Sequence, residues 1–284
     1  MGKKSVVVTG ASTGIGEATA CVLVRNGLRV FGSVRKRSDG ERLKSEFGPD
    51  FQPLVFDVTD EGAIRAEAAR VRDLLGGETL LGLVNNAGIG IGGPLLLLDL
   101  DELRRQFEVN VIGVVAVTQA FAPQLGTDRR LTGGPGRIVN MSSVAGKLAA
   151  PFLAPYVASK HALEGLSQSL RRELLLYGID VILIGPGAVA TPIWDKTQEL
   201  DVARFADSEY AAPLQKFMKT FVEGGRNGLP PEVIGALVHH ALTTATPRTR
   251  YAILRNRLTG WLVPRLLPDR ALDRALGKQL GLIR

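Results

Sequence analysis

Ser5-Val6-Val7-Val8-Thr9-Gly10-Ala11-Ser12-Thr13-Gly14-Ile15-Gly16 is the stretch on which the fold turns. Three consecutive valines suit a strand buried on both faces, and residues 14–26 that follow have the period of a helix. The three glycines fall at the switch between the two. There they let the turn close and let a phosphate approach the backbone, while the first turn of the helix offers its N–H groups. Glycines at the first strand-to-helix junction favour a dinucleotide pyrophosphate site over a plain turn. Their spacing, Gly-x-x-x-Gly-x-Gly, departs from the common Gly-x-Gly-x-x-Gly.

Outward from this unit, short β-branched runs alternate with longer segments of helical period, the pattern of βαβ units around a parallel sheet. Strands are expected near 5–9, 28–34, 51–56, 80–85, 136–142, 179–185 and 250–254. Helices are expected over about 14–26, 40–48, 60–75, 99–125, 155–177 and 230–245. The fold class is therefore α/β, a single doubly wound domain with a parallel sheet of about seven strands and helices on both faces. No second core announces itself in residues 1–254. The stretch 191–229 interrupts the alternation with Pro192, Pro213, Gly224, Gly225 and Gly228 around two weakly amphipathic pieces. An insertion after the sixth strand lies where such folds bind ligands, and it is read as a substrate lid.

Charge and composition narrow the function. The net charge of +7 suggests nucleic acid until it is located, because residues 255–284 hold seven Lys and Arg against two Asp. A near-neutral body argues against a nucleic-acid groove and assigns the basic charge to a local contact by the tail. Cys21, the single cysteine, excludes an intrachain disulfide and a cysteine metal cluster, and it falls on an apolar helix face expected to be core. With no leader-like segment and no apolar run of membrane-spanning length, the expected location is the cytoplasm.

Tyr156 and Lys160 stand four residues apart in Tyr-Val-Ala-Ser-Lys, one helical turn on one face. A tyrosine ionises near ~10 and is a poor base at neutral pH without a cation beside it. Lys160 is placed to be that cation, although solvated neighbours share this spacing. Other motifs come in order: Asn85-Asn86-Ala87-Gly88 closes the fourth strand, Asn110 sits in the next helix, and Ser143 precedes Tyr156 by thirteen residues. Pro186-Gly187 then ends the sixth strand, with Thr191 just beyond.

With Thr9-Gly10-x-x-x-Gly14-x-Gly16, these motifs make residues 4–254 resemble the short-chain dehydrogenase/reductase family, a Rossmann-type fold. The resemblance implies a catalytic set of Asn110, Ser143, Tyr156 and Lys160. Tyr156 would exchange a proton with the substrate oxygen, and Ser143 would hold that oxygen. Lys160 would lower the Tyr156 pKa and hydrogen-bond the nicotinamide ribose. Asn110 would hold a relay water, the alternative being a helix-packing amide that must find a partner in its apolar helix. Ser142 is read as structural. Gly10, Ser12, Thr13, Gly14, Ile15, Gly16, Asn86, Ala87, Gly88, Pro186, Gly187 and Thr191 would line the cofactor with Tyr156 and Lys160, and Asp57-Val58 would meet the adenine.

An NAD site would place an acid at the end of the second strand to accept from the ribose 2′-hydroxyl. Here Val34 stands in that place and Arg35-Lys36-Arg37 follow, so NADP(H) is expected, held by all three cations or by Arg35 alone. Leu148, Phe152, Leu153, Ile193, Trp194, Phe205, Tyr210, Leu214, Phe217, Met218 and Phe221 form an apolar, aromatic wall suited to a hydrophobic substrate. Val30-Phe31-Gly32-Ser33-Val34-Arg35 and the run from Tyr156 to Gly165 resemble the retinol and hydroxysteroid dehydrogenase branch, which implies a steroid-, retinoid- or lipid-like alcohol or carbonyl. A β-ketoacyl-thioester reductase and a non-catalytic NADP-binding sensor remain as alternatives.

His239 and His240 lack the acids and cysteines of a metal site. His161 should turn away. Residues 111–122 are apolar all round and read as core or a subunit interface, and the family commonly forms dimers or tetramers there. The extension 255–284, with Trp261 and leucines among its cations, either packs over the cleft or a partner subunit, or makes peripheral contact with an anionic membrane.

Overall fold

The computed structural model describes residues 2–194, 202–256 and 258–283. Seven strands form one parallel sheet in the order β3-β2-β1-β4-β5-β6-β7. They are β1 (Ser5–Val8), β2 (Arg29–Val34), β3 (Phe51–Val55), β4 (Gly82–Asn85), β5 (Arg137–Met141), β6 (Asp180–Pro186) and β7 (Arg250–Ile253). Successive side chains leave a strand on opposite faces, so each strand feeds two cores. Val6, Val8, Val30, Val139, Ile182 and Ile184 pack on one side. Val7, Phe31, Ile138 and Val181 pack on the other.

The first core is covered by α1 (Gly14–Arg25), α2 (Arg37–Phe47) and α8 (Pro231–Thr243), through Leu23, Leu43, Ile234, Val238 and Leu242. Gly235 brings α8 against α1 so closely that a Cβ there would stand 3.0 Å from Ala18 O. The second core is covered by α3 (Glu61–Leu75), α5 (Gly113–Phe121) and α6 (Ala154–Glu173), through Ile64, Val71, Val117, Phe121 and Leu170. The strand order reverses between β1 and β4, and there the sheet opens a crevice at its carboxyl ends.

Three elements differ in detail from expectation. The helix expected over 99–125 forms as one continuous run, α4 (Leu100–Phe107), a π turn (Glu108–Ile112) and α5, followed by a 3-10 turn at Pro123–Leu125. Its Gly113 lies against β3's exit, where a Cβ would meet Val58 O at 2.8 Å. Helix α2 starts at Arg37, three residues before the expected position. The insertion holds a full helix, α7 (Ala211–Arg226), in place of weak amphipathic pieces. The part of the lid at 195–201 lies outside the described residues.

The extension folds back. Helix α9 (Asp269–Leu280) packs on α7, and Leu280 joins Phe152, Phe205, Leu214 and Phe217 in a third apolar cluster. Leu258, Leu262 and Leu266 stay exposed. Cys21 is half-buried, not core, since Ala18, Ala20 and Leu23 take the inward face of α1. Of 111–122, Val111, Val114, Val117 and Phe121 are buried and Ile112 is exposed.

Candidate active site

The glycine turn is built by backbone conformations that suit glycine. Gly10 and Gly14 have φ of +64° and +61°, in the left-handed region. A Cβ on Gly16 would stand 2.1 Å from Gly10 O and 2.5 Å from Asn86 Nδ2. Thr9 ties this turn to the end of β4, its hydroxyl accepting from the Asn86 and Ala87 N–H groups at 2.9 and 3.0 Å. Asn86 Nδ2 donates back to Thr9 O and Gly10 O. Thr191 closes the turn from β6, with its Cβ 3.3 Å from where one would stand on Gly14.

A cavity of about 1450 Å³ runs from this turn across the sheet's carboxyl ends. Every cofactor residue expected from sequence lines it: Gly10, Ser12, Thr13, Gly14, Ile15, Gly16, Arg35, Asp57, Val58, Asn86, Ala87, Gly88, Pro186, Gly187 and Thr191, with Tyr156 and Lys160. The Ser33 hydroxyl accepts from Gly10 N at 3.0 Å, which joins β2's end to the turn. Val34 is buried beside it and Arg35 reaches the cavity, whereas Lys36 and Arg37 start α2 and do not line it. The three-cation reading thus reduces to Arg35. A close-approach cradle of N–H groups, an arginine at the end of β2 and a polar shelf at Asp57 fit a phosphorylated dinucleotide.

Beyond the turn the same cavity becomes apolar, lined by Leu148, Phe152, Ile193, Trp194, Phe217 and Phe221. Phe217 stacks on Phe221 with centroids 5.1 Å apart, and Trp194 meets Phe221 edge-on at 5.0 Å. Phe152 has φ of +64°, a strained conformation for a bulky side chain. It is held by Phe217 at 5.6 Å and Tyr210 at 6.2 Å, and by Gly93 N donating to its carbonyl at 2.7 Å. Phe205, Tyr210 and Leu214 stand behind this wall and not on it. Leu276, Gln279 and Leu280 of α9 complete the chamber, residues that local sequence pattern could not assign to it.

Ser143, Tyr156 and Lys160 meet where the two parts join. Ser143 Oγ accepts from Ala145 N at 3.1 Å and donates to Pro186 O at 3.4 Å, close enough to the Tyr156 phenol to act on its ionisation. Burial pushes the Tyr156 phenol above its usual pKa, and Ser143 only partly offsets this. Lys160 Nζ donates to Met141 O at 2.8 Å and lies 5.7 Å from the Tyr156 ring centre. Lys160 is pushed down to about 8 by burial, against the pull of Glu164.

Asn110 does not line the cavity. Its Oδ1 accepts from Ile89 N at 2.9 Å, and its Nδ2 donates to Ile89 O at 3.0 Å and Ser159 Oγ at 3.1 Å. Ser159 Oγ in turn donates to Tyr156 O at 2.7 Å, so the amide sits one layer behind the tyrosine. Ser142 also borders the cavity, its hydroxyl donating to Glu164 Oε1 at 2.7 Å. His161 is exposed and turned to Val157 O.

A doubly wound sheet whose switch point carries a glycine cradle, a buried serine and lysine and a half-buried tyrosine defines an oxidoreductase for alcohols and carbonyls. The chain belongs to the short-chain dehydrogenase family, whose model matches residues 4–201. It is 37% identical over 274 residues, 96% of either chain, to a protein of Ornithobacterium rhinotracheale named NADPH-dependent 3-dehydrocapnine reductase. To the mouse protein named retinol dehydrogenase 5 it is 32% identical over 283 residues, 95% of this chain and 87% of that one. A solved short-chain dehydrogenase from Streptomyces avermitilis superposes with a TM-score of 0.77 at 30% identity, covering 100% of this chain and 99% of that one.

Proposed function

We propose that the protein is an NADP(H)-dependent dehydrogenase/reductase acting on the carbonyl or alcohol of a hydrophobic, steroid-, retinoid- or lipid-like substrate, with Tyr156 as acid and base. The observation that carries this reading is continuity. One cavity leads from the phosphate cradle, past Ser143 and Tyr156, into a chamber walled by Phe152, Trp194, Phe217 and Leu276. When bound, the nicotinamide supplies or accepts the hydride at the substrate carbon.

The chain's own residues do the rest. In reduction, negative charge grows on the substrate oxygen, and Ser143 Oγ is placed to donate to it. Tyr156 gives that oxygen a proton, and its raised pKa keeps the phenol protonated and ready at neutral pH. Lys160, held by Met141 O, stands one turn below to meet charge as it develops on the phenol. Asn110 acts by fixing Ser159, and through it the Tyr156 turn, and not by touching substrate. Arg35 answers the 2′-phosphate that distinguishes NADP from NAD, and the NADPH dependence in the name of the Ornithobacterium relative supports this preference. The half-exposed Ile112 on the α5 side supports assembly into a dimer or tetramer.

The test is a turnover screen with NADPH and NADP⁺ over retinoids, steroids, aliphatic ketones and acyl thioesters. Apolar ketones or alcohols should turn over, and Tyr156→Phe should lower kcat by about 10²–10⁴-fold while NADPH binding persists. Undiminished turnover in that variant would overturn the proton donor. Preference for acyl thioesters would replace the substrate class, and tight NADPH binding without turnover of anything would favour a sensor.

A further inference from the structure

Next to the reacting residues lies a charged pair that the proposed chemistry does not use. Glu164 is 1% exposed, one helical turn after Lys160 on α6. Arg250, the first residue of β7, donates through Nε to both its carboxylate oxygens at 3.0 Å. Lys147 Nζ approaches at 3.5 Å, and Ser142 Oγ donates at 2.7 Å. Burying such a pair costs several kcal/mol per ion in desolvation, and an apolar pair of similar size is often as stable. Stability is therefore a weak reason for its presence.

Space has been cleared for it. A Cβ on Gly146 would meet Glu164 Cγ at 2.9 Å, and one on Gly185 would meet Arg250 Nη2 at 2.7 Å. The second arm of the guanidinium then reaches the active site, with Arg250 Nη2 donating to Ser143 O at 3.3 Å. Ser142 and Ser143 are thus gripped from the side away from the cavity, one by Glu164 and the other by Arg250. On its outer face Arg250 is stacked by Trp261 of the extension, 4.8 Å from guanidinium carbon to ring centre. Arg265 stands at the same distance from that ring, so the indole meets two guanidinium groups.

We propose that Arg250 is a positioning residue for the reaction, fixing the Ser143 backbone in concert with Glu164, and that Trp261 of the C-terminal extension holds Arg250 in that pose. A guanidinium suits the task because its planar fork can bond a carboxylate and a carbonyl at once while its face stacks on an aromatic ring. The extension thereby bears on the catalytic serine from outside the cavity. This proposal rests on the function proposed above for its kinetic consequence, and its structural consequence can be read without any substrate.

Hydrogen exchange of the full-length protein, with and without NADPH, supplies that reading. In Arg250→Lys the amides of residues 143–148 should exchange about tenfold faster, while those of β5 stay unchanged. Trp261→Ala should act in the same direction, and Trp261→Phe, which keeps a ring on the guanidinium, should restore protection. On a substrate from the screen, Arg250→Lys should lower kcat about tenfold with KM and NADPH affinity held. In a Ser143→Ala background the same substitution should change kcat less than about twofold, because residues acting as a unit are not additive.

Unchanged exchange in both Arg250→Lys and Trp261→Ala would overturn the proposal whatever the kinetics. Equal loss of kcat with and without Ser143 would overturn the catalytic part of it. Faster exchange, without Tyr156-dependent turnover of any substrate, would instead sink the proposed function and leave the mechanical link standing.

Discussion

The proposed proton-transfer pair joins a half-buried tyrosine to a buried lysine. Desolvation dominates both side chains, raising the tyrosine and lowering the lysine to about 8. Lys160 therefore carries its proton below about pH 8 and loses it as pH rises through that value. Carbonyl reduction needs the phenol protonated and gains from the ammonium beside it. It follows that kcat/KM for reduction should be flat near neutrality and fall above about pH 8. In Lys160→Arg, whose guanidinium stays charged throughout this range, the alkaline limb should move upward. A limb that stays in place would assign it to another group. The helical interval drew attention to Tyr156 and Lys160, and the resemblance to the family supplied Ser143 and the roles of all three. Their environment was not announced: the burial of Lys160 and its hold on Met141 come from the sheet beneath α6.

At the scale of elements, the βα junctions do most of the recognition. The Gly16 position leaves no room for a methyl group, with Gly10 O only 2.1 Å from its would-be Cβ. Gly16→Ala should cost about 1–3 kcal/mol in stability and weaken NADPH, measured as a lower melting temperature and a smaller rise on adding cofactor. On the proposed function, the second junction would read the cofactor's identity through Arg35. Arg35→Ala should weaken NADPH about tenfold and leave NADH unchanged in fluorescence titration; equal loss for both would refute the 2′-phosphate contact.

These junctions were legible in the chain because their residues are contiguous: a strand, a turn and a helix start lie within a dozen positions. That the helix over 99–125 would carry an irregular turn was not legible. Its π turn follows from contacts distant in sequence, Asn110 with Ile89 and Gly113 with Val58. Helix α9 was hidden for the same reason. Its leucines fit a membrane surface, a partner or the cleft equally well until α7 is in place to receive Leu280.

For the molecule as a whole, the extension is a wall of the reaction chamber and not an appendage. Leu276, Gln279 and Leu280 line the cavity opposite the glycine turn. A chain ending at Leu267 keeps Trp261 and loses α9. It should bind NADPH as the full chain does, and turn over small ketones, while KM for bulky apolar substrates rises about tenfold or more, consistent with losing several buried methylenes of contact. Unchanged KM values across substrate sizes would remove α9 from substrate selection.

The place of β1 has a consequence for synthesis. This earliest strand runs through the middle of the sheet, paired with β2 on one side and β4 on the other. Its far neighbour is distant in the chain, as the contact between Thr9 and Val84, 75 positions apart, records. A ribosome must therefore deliver β4 before the first strand can lose its open edge, and until then Val6-Val7-Val8 is an apolar ribbon able to pair with another chain.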